Sequence, residues 1–222
     1  YNLDKAVDME FTKVVFSSLS QSLKDLEAVK VKDPSGNTVL QKNKYDLKSD
    51  HNSNKHKYEH LYIKIKQTYI LRCLTSAMRN SKVILEFVFD GNVEVLLRII
   101  KGVRDEEILA NTNKILRIIL RDDHKIHDML VENRKNKKNR YNTPAVFLGM
   151  DEEVLADLIN SLLEELSIHD FSEIVLVEAT AAILNFVRRE ELIKFIVPQN
   201  LSYLISLVID NYEKPRVLAI QC

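Results

Sequence analysis

Apolar residues return along this chain mostly at steps of three and four. From Asp4 to Val29, the residues Val7, Phe11, Val14, Val15, Leu19, Leu23 and Leu26 fall on one face of a helix. Residues 31–57, VKDPSGNTVLQKNKYDLKSDHNSNKHK, are polar and charged and carry Pro34 and Gly36, so they read as a flexible insertion. Residues 58–80 open on an alternation, Leu61, Ile63 and Ile65, that suits a strand. Ile70, Leu71, Leu74, Ala77 and Met78 then keep helical spacing, and the run is too long for an ordinary strand, so one long helix is expected. Ser81 is placed to cap a short helix to about Phe89, which Gly91 ends. Asn92 caps a helix to about Lys101, which Gly102 stops, and Asp105 caps a helix over 106–121. A short helix is expected near 123–132. Residues 133–150, NRKNKKNRYNTPAVFLGM, break the rhythm as a basic loop insertion. A helix follows from Asp151 to Leu166, and Asp170 with Glu173 resembles a capping box for 171–188. Helices near 190–197, 200–210 and from 215 onward complete the pattern.

One phrase in this pattern recurs. Val93, Leu96, Leu97 and Ile100 are spaced like Leu155, Leu158, Ile159 and Leu162, and again like Leu201, Leu204, Ile205 and Val208. Setting the loop 133–150 aside brings both intervals into the low-to-mid forties, the period of armadillo and HEAT units. A helix pair of that size cannot bury its apolar face alone, whereas stacked copies share one continuous core.

The helices around the phrase point to the armadillo family. Residues 179–186, ATAAILNF, resemble its third-helix signature Ala-x-x-Ala-Leu-x-Asn-Leu, with Ile183, Asn185 and Phe186 in the last apolar and Asn places. Residues 89–100, FDGNVEVLLRII, resemble the segment Gly-x-(Ile/Val)-x-x-Leu-(Leu/Val)-x-Leu-Leu, where the first helix of a repeat turns into the second. The resemblance covers roughly residues 58–222. It departs at Arg117 and Ala77, which stand where earlier repeats would carry the Asn, and in the absence of tryptophan. Armadillo importins grip extended peptides with ladders of Asn and Trp, so that mode of cargo binding is not expected here.

The resemblance implies an all-α, right-handed armadillo/HEAT-like α-solenoid of three to four repeats. The chain would form one domain over 1–222, with insertions at 31–57 and 133–150. In such folds the third helices line the concave face. Their carboxyl ends here carry Arg79, then Arg117 and Arg121, then Arg188 and Arg189 beside Asn185. Stacked in register, these residues form a basic partner-binding groove for an acidic segment of another protein, since Arg offers bidentate contacts to carboxylates. Positive residues also favour helix carboxyl ends through the macrodipole alone, whatever the partner.

Composition narrows the picture. Apolar residues make up 45% of the chain, while four Gly and four Pro favour long helices over a turn-rich β fold. Lys+Arg and Asp+Glu are equal at 32 each, so no global field draws nucleic acid or an anionic membrane. No apolar run reaches the roughly 18 residues of a membrane span, and no signal peptide opens the chain. Cys73 and Cys222 form no spaced pattern, which suits a reduced intracellular protein, cytoplasmic or nuclear. The start at Tyr1 and the uncapped apolar finish KPRVLAIQC read as a fragment of a larger protein.

Candidate chemistry is sparse. In DDHKIHD, residues 122–128, His124 and His127 could offer two zinc ligands. A structural site needs four, and no further ligand is near in sequence, so the segment reads as a polar helix start. Cys73 sits at a core-like spacing and reads as a buried structural thiol. The carboxylate pairs Glu106–Glu107, Glu152–Glu153 and Glu164–Glu165 read as helix starts or solvated faces. No nucleophile elbow, P-loop or dinucleotide fingerprint appears. Arg134, Lys135, Lys137, Lys138 and Arg140 form the densest positive run and could contact phosphate. The expected function is therefore a non-catalytic scaffold, without metal or cofactor, that holds a partner protein within a multiprotein assembly. The alternative is a structural module of a nucleic-acid-associated factor, in chromatin remodelling or transport, touching phosphate through 134–140.

Overall fold

A computed structural model describes residues 14, 15, 17, 18, 21, 51–121, 150–167, 171–209 and 213–222. Among the described residues the fold is all-α, with no strand. Eight helices follow in order: α1 (His51–Ala77), α2 (Ser81–Phe89), α3 (Val93–Gly102), α4 (Glu106–Leu120), α5 (Glu152–Glu165), α6 (Glu173–Val187), α7 (Leu201–Ile209) and α8 (Glu213–Gln221). Two 3-10 turns, Glu190–Phe195 and Pro198–Asn200, join α6 to α7.

The long helix expected over 58–80 is α1, and it begins earlier. Residues 51–57, expected within a flexible insertion, are helical, while 31–50 lie outside the described residues. The strand-like alternation resolves by burial. Ile63 is buried with Gln67, Leu71, Leu74 and Met78, spaced at helical steps, whereas Leu61 and Ile65 are about half exposed. Cys73 is exposed rather than buried. It lies two residues beyond Leu71, about 200° around the helix, which puts it away from that stripe.

Helix ends follow local chemistry, with some shifts from expectation. The cap of α2 is Asn80, not Ser81: its Oδ1 accepts from Lys82 N at 3.0 Å. Gly91 then turns the chain at φ 72, a left-handed conformation that a side chain resists. Asn92 precedes α3 without a side-chain cap bond, and Gly102 is the last residue of that helix, which Val103 closes by donating to Ile99 O. Asp105 caps α4 as expected, accepting from Ile108 N at 3.2 Å. Ser172 occupies the N-cap of α6, so Glu173 is the first helical residue and cannot serve as the third position of a capping box. Asp170 lies outside the described residues. The helix expected near 123–132 and the loop from 133 to 149 lie there too.

Packing follows a simple order. α1 packs on α4, α4 on α6 and α6 on α8. α3 packs on α5 and α5 on α7. Within successive pairs, α3 lies against α4, α5 against α6 and α7 against α8. The recurring phrase explains the second series. Val93, Leu96, Leu97 and Ile100 on α3 and Leu155, Leu158, Ile159 and Leu162 on α5 are all buried. α6 is apolar over more than one face because α4, α5 and α8 all pack on it, and Val175, Leu176, Ala179, Ala182, Ile183, Leu184 and Phe186 are all buried. Asn160 on α5 ties down the 3-10 segment. Its Nδ2 donates to Phe195 O at 2.9 Å and its Oδ1 accepts from Val197 N at 2.9 Å.

Candidate functional site

α1 and α4 together shape a recess of about 250 Å³. α1 contributes Arg72, Thr75 and Ser76, the turn just past its end contributes Arg79, and α4 contributes Asn111, Lys114 and Ile118. These are i, i+3, i+4, i+7 and i, i+3, i+7 sets, so each forms one stripe along its helix.

The polar lining divides by what is already engaged. Thr75 Oγ1 donates to Leu71 O at 2.8 Å, and Ser76 Oγ donates to Arg72 O at 3.2 Å. Asn111 Nδ2 donates to Glu107 O at 2.7 Å. Both hydroxyl protons thus serve the helix backbone. Arg72 pairs with Glu107 across the helices. Among the described residues Arg79 and Lys114 have no carboxylate partner, and both are exposed. Three cations thus share the recess with a single carboxylate. Two of them are free to meet an anion, which an exposed guanidinium can do bidentately.

The neighbouring seam between α4 and α6 takes up several of the residues expected to line a groove. Asn185 Nδ2 donates to Arg117 O at 2.9 Å, and Arg189 Nη2 donates to Arg121 O at 3.3 Å. Each bond spans 68 residues. The two bonds lie one turn apart with the same offset, so α4 and α6 run parallel and in register. The Arg117 guanidinium lies against Glu178, Nε to Oε2 at 2.8 Å, and Arg189 is buried. Arg79 lines the recess, and Arg188 is exposed at the end of α6 with no ion pair among the described residues. Arg117, Asn185 and Arg189 thus help to join helices, while Arg79 and Arg188 present free charge. Arg72 and Lys114 were not singled out from the sequence. Their signal is the polar stripe they share with Thr75, Ser76 and Asn111 beside the apolar one.

A second polar site lies in the core. Glu165, expected on a solvated face, is 3% exposed at the end of α5. Asn113 Nδ2 of α4 donates to its Oε1 at 3.0 Å, and its Oε2 is buried without a hydrogen bond. Burial pushes this carboxyl up to about 7, against the opposing effects of the Asn113 bond and the Arg104 charge.

Among the described residues no group of three or more His, Cys, Asp or Glu could hold a metal ion, and no helix is long and apolar enough to cross a membrane. His124 and His127, and the basic run Arg134, Lys135, Lys137, Lys138 and Arg140, lie outside the described residues. Comparison with known proteins finds no matching family model, no matching curated protein and no matching solved structure.

Proposed function

We propose that this chain is a non-catalytic protein-interaction module: an armadillo-like α-solenoid whose α1–α4–α6 surface receives an acidic segment of a partner protein. The serial packing of α1, α4, α6 and α8, beside that of α3, α5 and α7, supports a stacked-repeat reading. The parallel, in-register seam between α4 and α6 supports it further, because equivalent helices of successive repeats run the same way.

The observation that carries the binding reading is the charge imbalance in the α1–α4 recess. Arg79 and Lys114 stand unpaired beside Arg72, and Arg188 extends the positive charge past the end of α6. Exposed charges gain little from being crowded together, so uncompensated cations that converge on one recess favour an external anion. A carboxylate fits, since Arg79 offers a fork of donors and Lys114 a mobile point charge.

A labelled Glu-rich peptide, followed by fluorescence anisotropy, tests the reading. Binding is expected for the parent chain and for Arg134→Ala, and is expected to be lost with Arg79→Glu plus Lys114→Glu. Binding unchanged by the double substitution would remove the recess from the account. Labelled duplex DNA in the same assay separates the nucleic-acid alternative: salt-sensitive binding that Arg134→Ala plus Lys137→Ala abolishes would favour it instead.

A further inference from the structure

The cations of the α1–α4 recess are not explained by their places on the helices. Positive side chains gain from the helix dipole only within about the last turn. That accounts for Arg79, just past the end of α1. It does not account for Arg72 or Lys114, which lie more than a turn before Ala77 and Leu120, where α1 and α4 end. Local ion pairs do not account for the two free cations either. Three and four residues to either side, Lys114 has Ala110, Asn111, Arg117 and Ile118, and Arg79 has Thr75, Ser76, Lys82 and Val83. None of these is a carboxylate. Arg72, Arg79 and Lys114 set against the one carboxylate, Glu107, leave two positive charges in a recess of about 250 Å³. Thr75 and Ser76 give their hydroxyl protons to Leu71 O and Arg72 O. The donors left for an anion are therefore the cations and the second amide proton of Asn111, whose first goes to Glu107 O.

We propose that the anion is a phosphorylated serine or threonine of the partner segment. The proposal rests on the reading that this recess receives an acidic segment, and it names the group that fills it. Charge selects the phosphate. A phosphate monoester carries about −1.5 to −2 at pH 7, which matches the two unbalanced positive charges, whereas one carboxylate would leave a cation uncompensated. Donor geometry agrees. A phosphate offers three acceptor oxygens, enough for the Arg79 fork, the Lys114 ammonium and the Asn111 amide at once. Ile118, partly buried in the lining, gives an apolar contact for the carbon atoms that carry the phosphate. Nucleic-acid phosphates are a poorer match: each diester carries a single charge, and the charges are spread along a rod rather than gathered at one point.

Fluorescence anisotropy with one labelled Glu-rich peptide, carrying Glu or phosphoserine at its centre, tests the proposal. The phosphoserine form is expected to bind the parent chain about 10-fold tighter than the Glu form. Lys114→Gln keeps Arg79, and with it measurable binding, and should bring the two forms within about threefold. Lys114 is exposed, so the fold should persist, checked by circular dichroism. Arg98→Gln, on α3 and outside the recess, should leave the preference for phosphate unchanged. Equal affinity of the parent chain for the two forms would overturn the proposal and leave the acidic-segment reading standing. Failure of both forms to bind would remove that reading and the proposal with it. A preference that survives Lys114→Gln in full would overturn the assignment to this recess. Duplex DNA that displaces the phosphoserine peptide more strongly than the unlabelled peptide does would overturn it in favour of nucleic acid.

Discussion

Replacing Glu165 by Gln tests the buried carboxyl. The side chain is 3% exposed, is held by Asn113 at 3.0 Å, and leaves Oε2 without a partner. Its carboxyl is raised from 4.5 to about 7 in the fold, chiefly by desolvation. The sign follows from linkage. Below about pH 4.5 the group is protonated in both states and imposes no penalty. As pH rises towards 7, the unfolded chain gains from ionising while the folded chain does not. The loss grows through this window and levels off above the folded value. At 1.36 kcal/mol per unit, the difference amounts to about 3 kcal/mol. Gln keeps an oxygen for Asn113 and cannot ionise. Urea unfolding of both proteins, at several points from about pH 5 to about pH 8, cancels every other titrating group. Glu165→Gln should gain on the parent chain by about 2.5 kcal/mol across that range. Parallel pH profiles for the two proteins would refute the reasoning.

Three further outcomes follow from the packing. Ile159→Ala, at a fully buried position on α5, should cost about 2–5 kcal/mol in urea unfolding, while Ile205→Ala at the equivalent exposed position of α7 should fall within about 0.5 kcal/mol when the chain is monomeric. Asn185→Ala removes the bond to Arg117 O across the α4–α6 seam and should cost about 1–2 kcal/mol in the same assay. Cys73 is exposed, so its thiol should react promptly with a disulfide reagent in the native protein, whereas burial pushes the Cys222 thiol up to about 11 and should slow it; a Cys73 slower than Cys222 would contradict its position on α1.

Much of the helix pattern was legible in the residues, because burial on a helix obeys a fixed period. The stripe through Leu71, Leu74 and Met78 outvoted the short alternation at Leu61, Ile63 and Ile65, and only Ile63 of those three is buried. Caps were less legible. Asn80 and Ser81 are both good caps and adjacent, and only backbone geometry selects Asn80. Facing on the outer turns was misjudged twice. Cys73 looked apolar by its neighbours but lies away from the buried stripe, and Glu165 looked solvated by its charge but lies under α4. Both depend on where a second helix passes, which period alone does not encode. The same holds for the candidate site. Positive helix ends were visible, yet whether an arginine faces solvent or joins two helices is decided across the α4–α6 seam. There Arg117 meets Glu178 and Arg189 reaches Arg121 O.

The account depends on α3, α5 and α7 being successive members of one stack. Glu94, Ala156 and Ser202 occupy matching places one residue into the recurring phrase. Nitroxide labels at pairs of these positions, with Cys73 and Cys222 changed to Ser, report the arrangement directly. Packed helix axes lie about 8–10 Å apart, so the 94–202 distance should be close to the sum of the other two, at about 20 Å. A 94–202 distance no longer than the other two would place the three helices around a common centre and contradict the stack.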